Sequence, residues 1–268
     1  MPSYIEIMPT YKKLSASKES KQPLSRPVSI VKRALNMHSV VEKHSHDWGQ
    51  FVYAHKGVLM VATQSEQYIV PPEQGVWLLP HIEHEVTAMS QVELTSFYID
   101  KTHLNNLPTN SCVLQVNDFL KTLIIEAINI QNTYQWKSSD GRLLRMILDR
   151  LAIAPSVLKP LPYPKDARLL KMLTLIQNDP SLEYDLKKWG EIVGASSRSL
   201  SRLYKSETGL SYRTWRQRLN IQIAISQLSN GQTVHNIALN LGYETASAFI
   251  HMFKKNTGVT PSFYRDKL

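Results

Sequence analysis

An internal repeat in the last hundred residues constrains the fold of this 268-residue chain more than any other feature. The segment "LKKWGEIVGASSRSLSRLYKSETG" (186–209) aligns with "VHNIALNLGYETASAFIHMFKKNTG" (234–258) at an offset of 48 residues, with one residue inserted. The matched positions are mostly apolar or glycine, and the apolar ones recur at helical intervals. Each copy therefore predicts a short helix, a turn that begins at a glycine, and a second helix that ends at another glycine.

Polar residues that can cap a helix, Ser196, Ser197 and Thr245, stand where each second helix should begin. A helix, a tight turn and a capped second helix make a helix-turn-helix, which is predicted twice. The apolar stripe of 211–228 predicts a helix of roughly 27 Å between the copies. Two second helices at such a spacing can enter successive major grooves, about 34 Å apart, on one face of DNA.

The positive charge is concentrated in the same region. The net charge is +9, and residues 165–268 hold 15 lysines and arginines against 8 aspartates and glutamates, whereas residues 1–164 hold 16 against 14. Such a segment is attracted to a polyanion, of which nucleic acid is the most common. A solvated basic face is the other interpretation of the same charge.

The stretches "SLSRLYKSETG", "NIALNLGYETASAFIHMFKKNTGVTP" and the closing "SFYR" resemble the DNA-binding domain of the AraC/XylS family of transcription regulators. The resemblance covers nearly all of 165–268. It implies double-stranded DNA as a partner, and RNA polymerase as a further partner if the chain is an activator.

Helical phase predicts which side chains face DNA. In the first copy Leu200, Leu203 and Tyr204 face inward, so two arginines face outward. Each arginine can donate two hydrogen bonds to a guanine, at O6 and N7. By resemblance, the family contacts bases from the same positions. The lysines have two interpretations, phosphate contact and a solvated face. The predicted DNA-binding residues are Ser197, Arg198, Ser201, Arg202 and Lys205 in the first copy, and Thr245, Ser247, Ile250, His251 and Lys254 in the second, with Lys255 as a further phosphate candidate.

The first 165 residues follow different patterns. Short apolar bursts such as "QFVYAH" and "GVLMVAT", separated by Gly, Pro and polar turns, predict successive strands of a sandwich or small barrel. Segments 119–130 and 141–153 predict two amphipathic helices, which either pack on the barrel or pair two chains. Four prolines within 154–166 exclude a continuous helix and predict a linker.

Two histidines one residue apart stand in "HSHDWGQF" (44–51). His44 and His46 lie two apart on a predicted strand, so both imidazoles should point to the same side. Gln50 follows, and His84 comes later in "GVWLLPHIEHEV" (75–86). These residues resemble the two motifs of the cupin barrel, in which two His, a Glu and a third His point inward and bind a metal.

The match to the cupin motifs is incomplete, since Gln50 stands in place of the glutamate and His81 in place of a glycine. Amide oxygens bind divalent transition metals weakly, whereas three imidazoles alone can hold Zn, Ni or Co. The site is therefore either a possible divalent-metal site or a polar pocket floor for a small-molecule effector, with no cofactor required. The predicted metal ligands are His44, His46, Gln50 and His84; the predicted effector pocket adds Trp48, Tyr53 and Trp77, for which ordinary core packing is the alternative.

Together these patterns predict an α+β multidomain chain with a cupin-like β-barrel, dimerisation helices and an all-α tandem helix-turn-helix domain. A homodimer is expected because one helix carries an apolar stripe longer than is needed to cover a single small barrel. The stripe consists of Leu144, Ile147, Leu148 and Leu151. The predicted segments are a flexible arm (1–27), a sensor barrel (28–110), amphipathic helices that pair two chains (111–155), a linker (156–165) and the DNA-binding domain (166–268).

Cysteine usage and the first thirty residues bear on location. The single cysteine, Cys112, excludes a disulfide framework, and residues 1–30 hold no apolar run that could act as a signal peptide or membrane anchor. A cytoplasmic protein with no membrane partner is expected.

The sequence favours a sequence-specific transcription regulator that a small molecule or metal controls through the barrel. The alternative is a cupin metalloenzyme, a dioxygenase or isomerase, fused to a DNA-binding module. The enzyme is disfavoured because the carboxylate ligand is missing and Glu83 and Glu85 are the only evident acids or bases near the motif. No catalytic residue is assigned.

Overall fold

The computed structural model describes residues 12–14 and 24–266. These residues form two compact units. The first comprises the described residues up to Gln64 together with Tyr68–Lys159, and the second comprises Ser65–Gln67 together with the described residues from Pro160 onward. The first unit is built on two β-sheets and the second on helices, which confirms the predicted fold class.

Twelve strands lie in the described part of the chain and form two six-stranded sheets. The first sheet has the order β1-β3-β8-β5-β6-β12 and the second the order β11-β10-β7-β4-β9-β2. Strand β12 pairs with residues 66 and 67 of β6, which belong, like β12, to the second unit. Strand β1 runs parallel to β3, whereas the pairs β3–β8, β8–β5, β11–β10, β10–β7, β7–β4, β4–β9 and β9–β2 are antiparallel. The strands are β1 (Lys12–Leu14), β2 (Val28–Leu35), β3 (Ser39–His44), β4 (Gly49–Lys56), β5 (Leu59–Thr63), β6 (Glu66–Val70), β7 (Gln74–Leu78), β8 (His84–Ala88), β9 (Val92–Ile99), β10 (Cys112–Gln115), β11 (Ser156–Leu158) and β12 (Leu161–Pro162).

Strand β4 shows why the second sheet is buried on both faces. Side chains alternate along a strand, so Val52 and Ala54 join the apolar core that includes Val61 of β5, whereas Phe51 and Tyr53 join a second core. Every residue from Gly49 to Ala54 is buried as a result.

Two helices, α1 (Asp118–Ala127) and α2 (Ser139–Ile153), form the other side of that second core. They lie within three residues of the predicted helices. Leu144, Ile147 and Leu151 of the predicted dimer stripe are at most 1% exposed, and Leu148 packs on the same core. The stripe covers the chain's own sheet, so the stated reason for expecting a dimer was wrong.

The second unit contains seven helices in its described residues. Each begins directly after a residue whose side-chain oxygen accepts a backbone N–H, which is the capping arrangement predicted for the helix-turn-helix copies. None of the helices in the described ranges is long and apolar enough to cross a membrane. The helices, each given with its cap, are α3 (Ala167–Asn178, Asp166), α4 (Leu186–Val193, Asp185), α5 (Ser197–Thr208, Ser196), α6 (Tyr212–Ser229, Ser211), α7 (Val234–Asn240, Thr233), α8 (Ala246–Thr257, Thr245) and α9 (Pro261–Arg265, Thr260).

Two predicted segments, 111–155 and 156–165, contain strands that were not expected there. The segment 111–155 begins with β10, which pairs with β7 and so belongs to the barrel. The predicted linker 156–165 contains β11, which pairs with β10, and β12, in which Leu161 pairs with Gln67. Strands β11 and β12 both lie at sheet edges. Prolines are tolerated there because a missing backbone N–H does not interrupt hydrogen bonds between two inner strands.

The predicted flexible arm, 1–27, lies mostly outside the described residues. Within it, 12–14 forms β1 beside β3, and Leu14 packs on the core between the sheets. This short strand departs from the prediction of an arm without regular structure.

Candidate DNA-reading surface and ligand pocket

Helices α4 and α5 form the first helix-turn-helix. Trp189 of α4 and Leu200 and Tyr204 of α5 are fully buried in the core of the second unit. The turn between the helices begins at Gly194, whose φ of 71° lies in the left-handed region that glycine adopts without strain. Burial of these apolar positions fixes the opposite face of α5 toward solvent.

The predicted base-reading residues of α5 lie on that solvent face. Ser197, Arg198, Ser201 and Arg202 are exposed. Their side chains form no hydrogen bond or ion pair with any described residue, so the donors remain available to another molecule. Lys205 is also exposed, but its Nζ donates a hydrogen bond to the Gly209 carbonyl at 3.0 Å, which ties it to the end of its own helix.

Helices α7 and α8 form the second helix-turn-helix. Thr245 caps α8, because its Oγ1 accepts a hydrogen bond from the Ala248 N–H at 3.2 Å. Ser247, His251, Lys254 and Lys255 are exposed along the face opposite the buried Phe249, Met252 and Phe253, whereas Ile250 is half-buried. The second surface is therefore less polar at its centre than the first.

Helix α6 joins the two copies with 18 residues, or roughly 27 Å. One of its basic residues is not at the surface: Arg216 is 9% exposed, and its Nη2 donates to the carbonyl of Pro180 at 2.6 Å. This guanidinium holds the loop before α4 against α6. Nothing in the sequence distinguished it from the solvated arginines nearby.

Three histidines converge inside the first unit. The ring centroids of His44 and His84 are 4.3 Å apart, and those of His46 and His84 are 5.2 Å apart. One nitrogen from each ring lies within 4.8 Å of the others. His84 is fully buried and His46 is 4% exposed, whereas His44 is half-buried. The sequence predicted that His44 and His46 point to the same side because both were placed on one strand. In the structure His44 is the last residue of β3, whereas His46 lies in the loop between β3 and β4.

Each ring is held by a backbone carbonyl at its Nδ1. His44 bonds the Glu42 oxygen at 2.8 Å, His46 the Trp48 oxygen at 2.9 Å, and His84 the Ile82 oxygen at 2.8 Å. A carbonyl can only accept, so Nδ1 carries the proton and Nε2 keeps a bare lone pair in the neutral ring.

Burial keeps these rings neutral. Loss of solvent lowers the pKa of His44 and His46, and it lowers the pKa of His84 to about 3, with the neighbouring His44 adding to the effect. At pH 7 the cluster therefore presents three neutral imidazoles, which is the form that binds metal ions.

Gln50 completes the predicted set. Its Oε1 lies 2.9 Å from His46 Nε2, and its Nε2 donates to Ser96 Oγ at 3.3 Å. These side chains line a cavity that is open to solvent at one side and lies between the sheets. Its described lining residues are Arg33, Val41, His44, His46, Trp48, Gln50, Val52, Val86, Leu94, Ser96 and Tyr98.

Three predicted pocket residues do not line the cavity: His84 lies beside the lining histidines, and two predicted walls lie elsewhere. Trp48 lines the cavity, but Tyr53 and Trp77 belong to the core between the second sheet and α1–α2. Tyr53 is three residues from Gln50 on β4, and an odd spacing places two side chains on opposite faces. Trp77 pairs with Phe51, whose ring shares that outer face, and its indole Nε1 donates to the Pro108 carbonyl at 2.8 Å.

Other lining residues were not foreseen. Arg33, Ser96 and Tyr98 come from β2 and β9, and only the sheet order brings them to the cavity: β9 pairs with β4, with Gln50 opposite Tyr98, and β2 pairs with β9, with Arg33 opposite Leu94. Alternation along β9 was readable from the sequence, but nothing in it identified β9 as the neighbour of β4.

The chain matches two protein-family descriptions, an AraC-like ligand binding domain over residues 27–177 and a helix-turn-helix domain over residues 189–267. It is 32% identical over 225 residues to the HTH-type transcriptional regulator NimR of Escherichia coli strain K12, and the match covers 84% of this chain and 82% of that protein. The chain belongs to the AraC family of transcription regulators.

Two further proteins are also similar. The arabinose operon regulatory protein of Salmonella typhimurium strain LT2 is 27% identical over 144 residues, which cover 53% of this chain and 50% of that protein. A crystal structure of wild-type ToxT from Vibrio cholerae, bound to an unsaturated fatty acid, is 15% identical with a TM-score of 0.38, covering 92% of this chain and 98% of that one.

Membership in the AraC family confirms the predicted function: the chain is a transcription regulator with a DNA-binding helix-turn-helix region and a ligand-binding domain. A family of regulators favours a role other than catalysis. The two acids considered for the enzyme alternative do not line the cavity. Glu83 instead lies 3.6 Å from Lys43 Nζ and accepts a hydrogen bond from Gln64.

Proposed function

We propose that an effector bound in the cavity of the first unit controls sequence-specific DNA binding by the second. The cavity lies within the part of the chain that matches the ligand-binding description. It combines apolar walls with the indole N–H of Trp48, which lacks a partner among the described residues. His84 Nε2, which also lacks one, lies just behind the lining, with its ring centroid 4.3 Å from that of His44 and 5.2 Å from that of His46. Buried polar groups are normally satisfied, so this combination is typical of a site that binds a ligand.

Base recognition is assigned chiefly to α5. Ser197, Arg198, Ser201 and Arg202 are exposed at the start of that helix, where the second helix of the motif meets base edges. Helix α8 adds Ser247 and His251, while the half-buried Ile250 can contribute only apolar contact, such as to a thymine methyl group.

The remaining predicted DNA contacts position the chain instead of reading bases. Lys205, Lys254 and Lys255 lie near the C-terminal ends of their helices and are assigned to phosphates, and Thr245 acts mainly as the cap of α8. Where binding raises transcription, RNA polymerase is the further partner. The chain is expected to act in the cytoplasm, where this DNA would be found.

Filling the cavity tests the control that the effector exerts. Val52 is 1% exposed and lines the cavity, so Val52→Phe should occupy the space that an effector needs. We expect operator binding to persist while the output of a reporter gene no longer changes across a panel of small molecules to which the wild type responds. The operator is first located by genome-wide mapping of bound sites.

Tyr53→Phe is the matched control, because Tyr53 is the next residue but faces the helices. It should respond like the wild type. An unaltered response in Val52→Phe would place the effector site elsewhere, and a wild type that binds no DNA site selectively would remove the proposal as a whole.

Pairing of two chains is assigned to the outer face of α2. Arg142, Met146, Asp149 and Ile153 are exposed at a spacing of four, three and four residues, with Met146 at 41% and Ile153 at 67%. An antiparallel pair of α2 helices with Met146 opposite Ile153 of the second copy would bury these apolar side chains.

The expected result is a dimer for the wild type and a monomer for the Met146→Glu, Ile153→Glu double variant, measured by light scattering of the full chain. Two charges placed in an apolar contact lack partners and disfavour it. Leu239→Glu changes a comparably exposed residue, 54%, of the second unit and should remain dimeric. A wild type that is monomeric both free and on its operator would contradict the assignment.

A further inference from the structure

Two hydrogen-bond acceptors face each other in the cavity. His46 donates through Nδ1 to the Trp48 carbonyl, so its Nε2 has no proton, and that atom lies 2.9 Å from Gln50 Oε1. The Gln50 amide is held with its oxygen toward His46, because its Nε2 donates to Ser96 Oγ. In this orientation of the amide the two lone pairs repel, and a cation coordinated by both atoms would remove the repulsion.

His84 adds a second unsatisfied lone pair. Its Nε2 is buried and has no hydrogen-bond partner in the described part of the chain, while its Nδ1 is bonded to the Ile82 carbonyl. A ring whose other nitrogen donates to a backbone carbonyl is the usual arrangement of a metal-ligating histidine. With His44 nearby in the same state, the donor set fits a divalent transition metal.

The cavity also contains groups that require an acceptor. Trp48 is 4% exposed, and its indole N–H has no partner among the described residues. Arg33, which is half-buried, lines the same cavity, and its side chain forms no ion pair within the described ranges. Of the described residues that line the cavity, none is acidic. A metal ion alone would leave these donors unsatisfied and would add two further positive charges.

We propose that this cavity binds a divalent transition-metal ion and an organic carboxylate together, the metal on His44, His46 and His84 with the Gln50 amide oxygen beside it, and the carboxylate between the metal and Arg33. This inference deepens the proposed function and rests on the cavity being the effector site.

Charge selects a carboxylate over a neutral effector. All four protein donors are neutral, so the ion keeps its full charge of two in a buried site until an anion joins it. Arg33 supplies a fork of donors that matches a carboxylate, and the Trp48 N–H supplies one more.

The body of the effector is expected to be apolar. Val52, Leu94 and the rings of Trp48 and Tyr98 form the cavity walls. A small aromatic acid such as benzoate therefore serves as the probe, and benzamide serves as its neutral counterpart of the same shape.

Metal binding is tested first, on the full chain after treatment with a chelator and dialysis. Titration with Co²⁺, followed by its visible absorption, should reach about one ion per chain with the spectrum of a nitrogen-rich site. His84→Ala and His44→Ala should each abolish cobalt binding. His44→Ala changes a half-buried ring, so it should disturb the fold less than His84→Ala does. His235→Ala removes an exposed histidine of the second unit and should bind as the wild type does.

Anion binding is tested on the cobalt-loaded chain. Benzoate, but not benzamide, should change the cobalt spectrum and raise the melting temperature. Arg33→Gln should retain the metal stoichiometry but bind benzoate about tenfold more weakly, since a hydrogen bond to a charged group is lost. Gln50→Glu should bind the metal more tightly and respond less to benzoate, because it supplies the missing negative charge from the protein.

The outcomes separate this inference from the proposed function. No cobalt binding, equal effects of benzoate and benzamide, or equal benzoate binding by the metal-free chain would each overturn the inference. In those cases a compound that still alters operator binding through the cavity would leave the proposed function standing. If the chain binds cobalt and benzoate as expected but binds no DNA site selectively, the inference would stand and the proposed function would fail.

Discussion

Replacing Trp215 by alanine should destabilise the second unit by about 3–5 kcal/mol, the usual range for removing a buried tryptophan. Trp215 is fully buried at the centre of the core that supports the first helix-turn-helix. Its ring lies 5.4 Å from that of Tyr204, and its Nε1 donates to the Pro162 carbonyl at 2.9 Å. Because α5 is held by this core, DNA binding should be lost together with the fold.

Urea unfolding followed by circular dichroism at 222 nm measures the effect, since the helical unit dominates that signal. Trp215→Phe keeps an aromatic ring but leaves the Pro162 carbonyl without its donor, so an intermediate loss of about 1–3 kcal/mol is expected. Leu239→Ala, at a residue 54% exposed, should change stability by no more than about 0.5 kcal/mol. A loss below about 1 kcal/mol for Trp215→Ala would mean that the core repacks around the gap.

The second unit was predictable because its signals are local. Helix caps, the apolar period and the glycine ends stand within a few residues of one another, and α6 lies one residue from its predicted range. The repeat added independent support, since the same pattern occurs twice at a fixed offset. The buried Arg216 was not predictable, because its partners are carbonyls more than thirty residues away.

The first unit was predictable in kind but not in pairing. Short apolar bursts indicated strands, yet β10 pairs with β7 across almost forty residues, and no local pattern encodes such a partner. The two-residue alternation did contain usable information: Gln50 and Tyr53 on one strand cannot share a face. Assigning both to the pocket overlooked that rule, whereas the position of Trp77 required the register of β7 on β4.

The chemistry of the pocket depended even more on register. The sequence motifs brought His44, His46 and His84 to attention, and the structure places their rings together. Arg33 and Tyr98 reach the same cavity only because β9 pairs with β4 and β2 pairs with β9. The histidines suggested a metal, but the unpaired guanidinium that favours an anion could be recognised only once the strands were assembled.

Replacing Arg198 and Arg202 together by alanine should weaken binding to the specific operator by about 2–6 kcal/mol, or 1–3 kcal/mol for each bidentate contact to guanine. Both side chains are exposed on the first two turns of α5 and have no partner among the described residues. Random DNA offers no matched guanines at these positions, so binding to it should fall only through the lost charge.

The measurement is a pair of titrations, on the operator and on a scrambled duplex, repeated over a range of salt concentrations. Lys187→Ala is the control for the loss of one charge, because Lys187 is exposed on α4, the helix that crosses the backbone in this motif. It should weaken binding to both duplexes alike and reduce the salt dependence by about one phosphate contact. If the arginine variant behaves like this control, with equal losses on the two duplexes, then Arg198 and Arg202 contact phosphates and α5 reads bases through Ser197 and Ser201 alone.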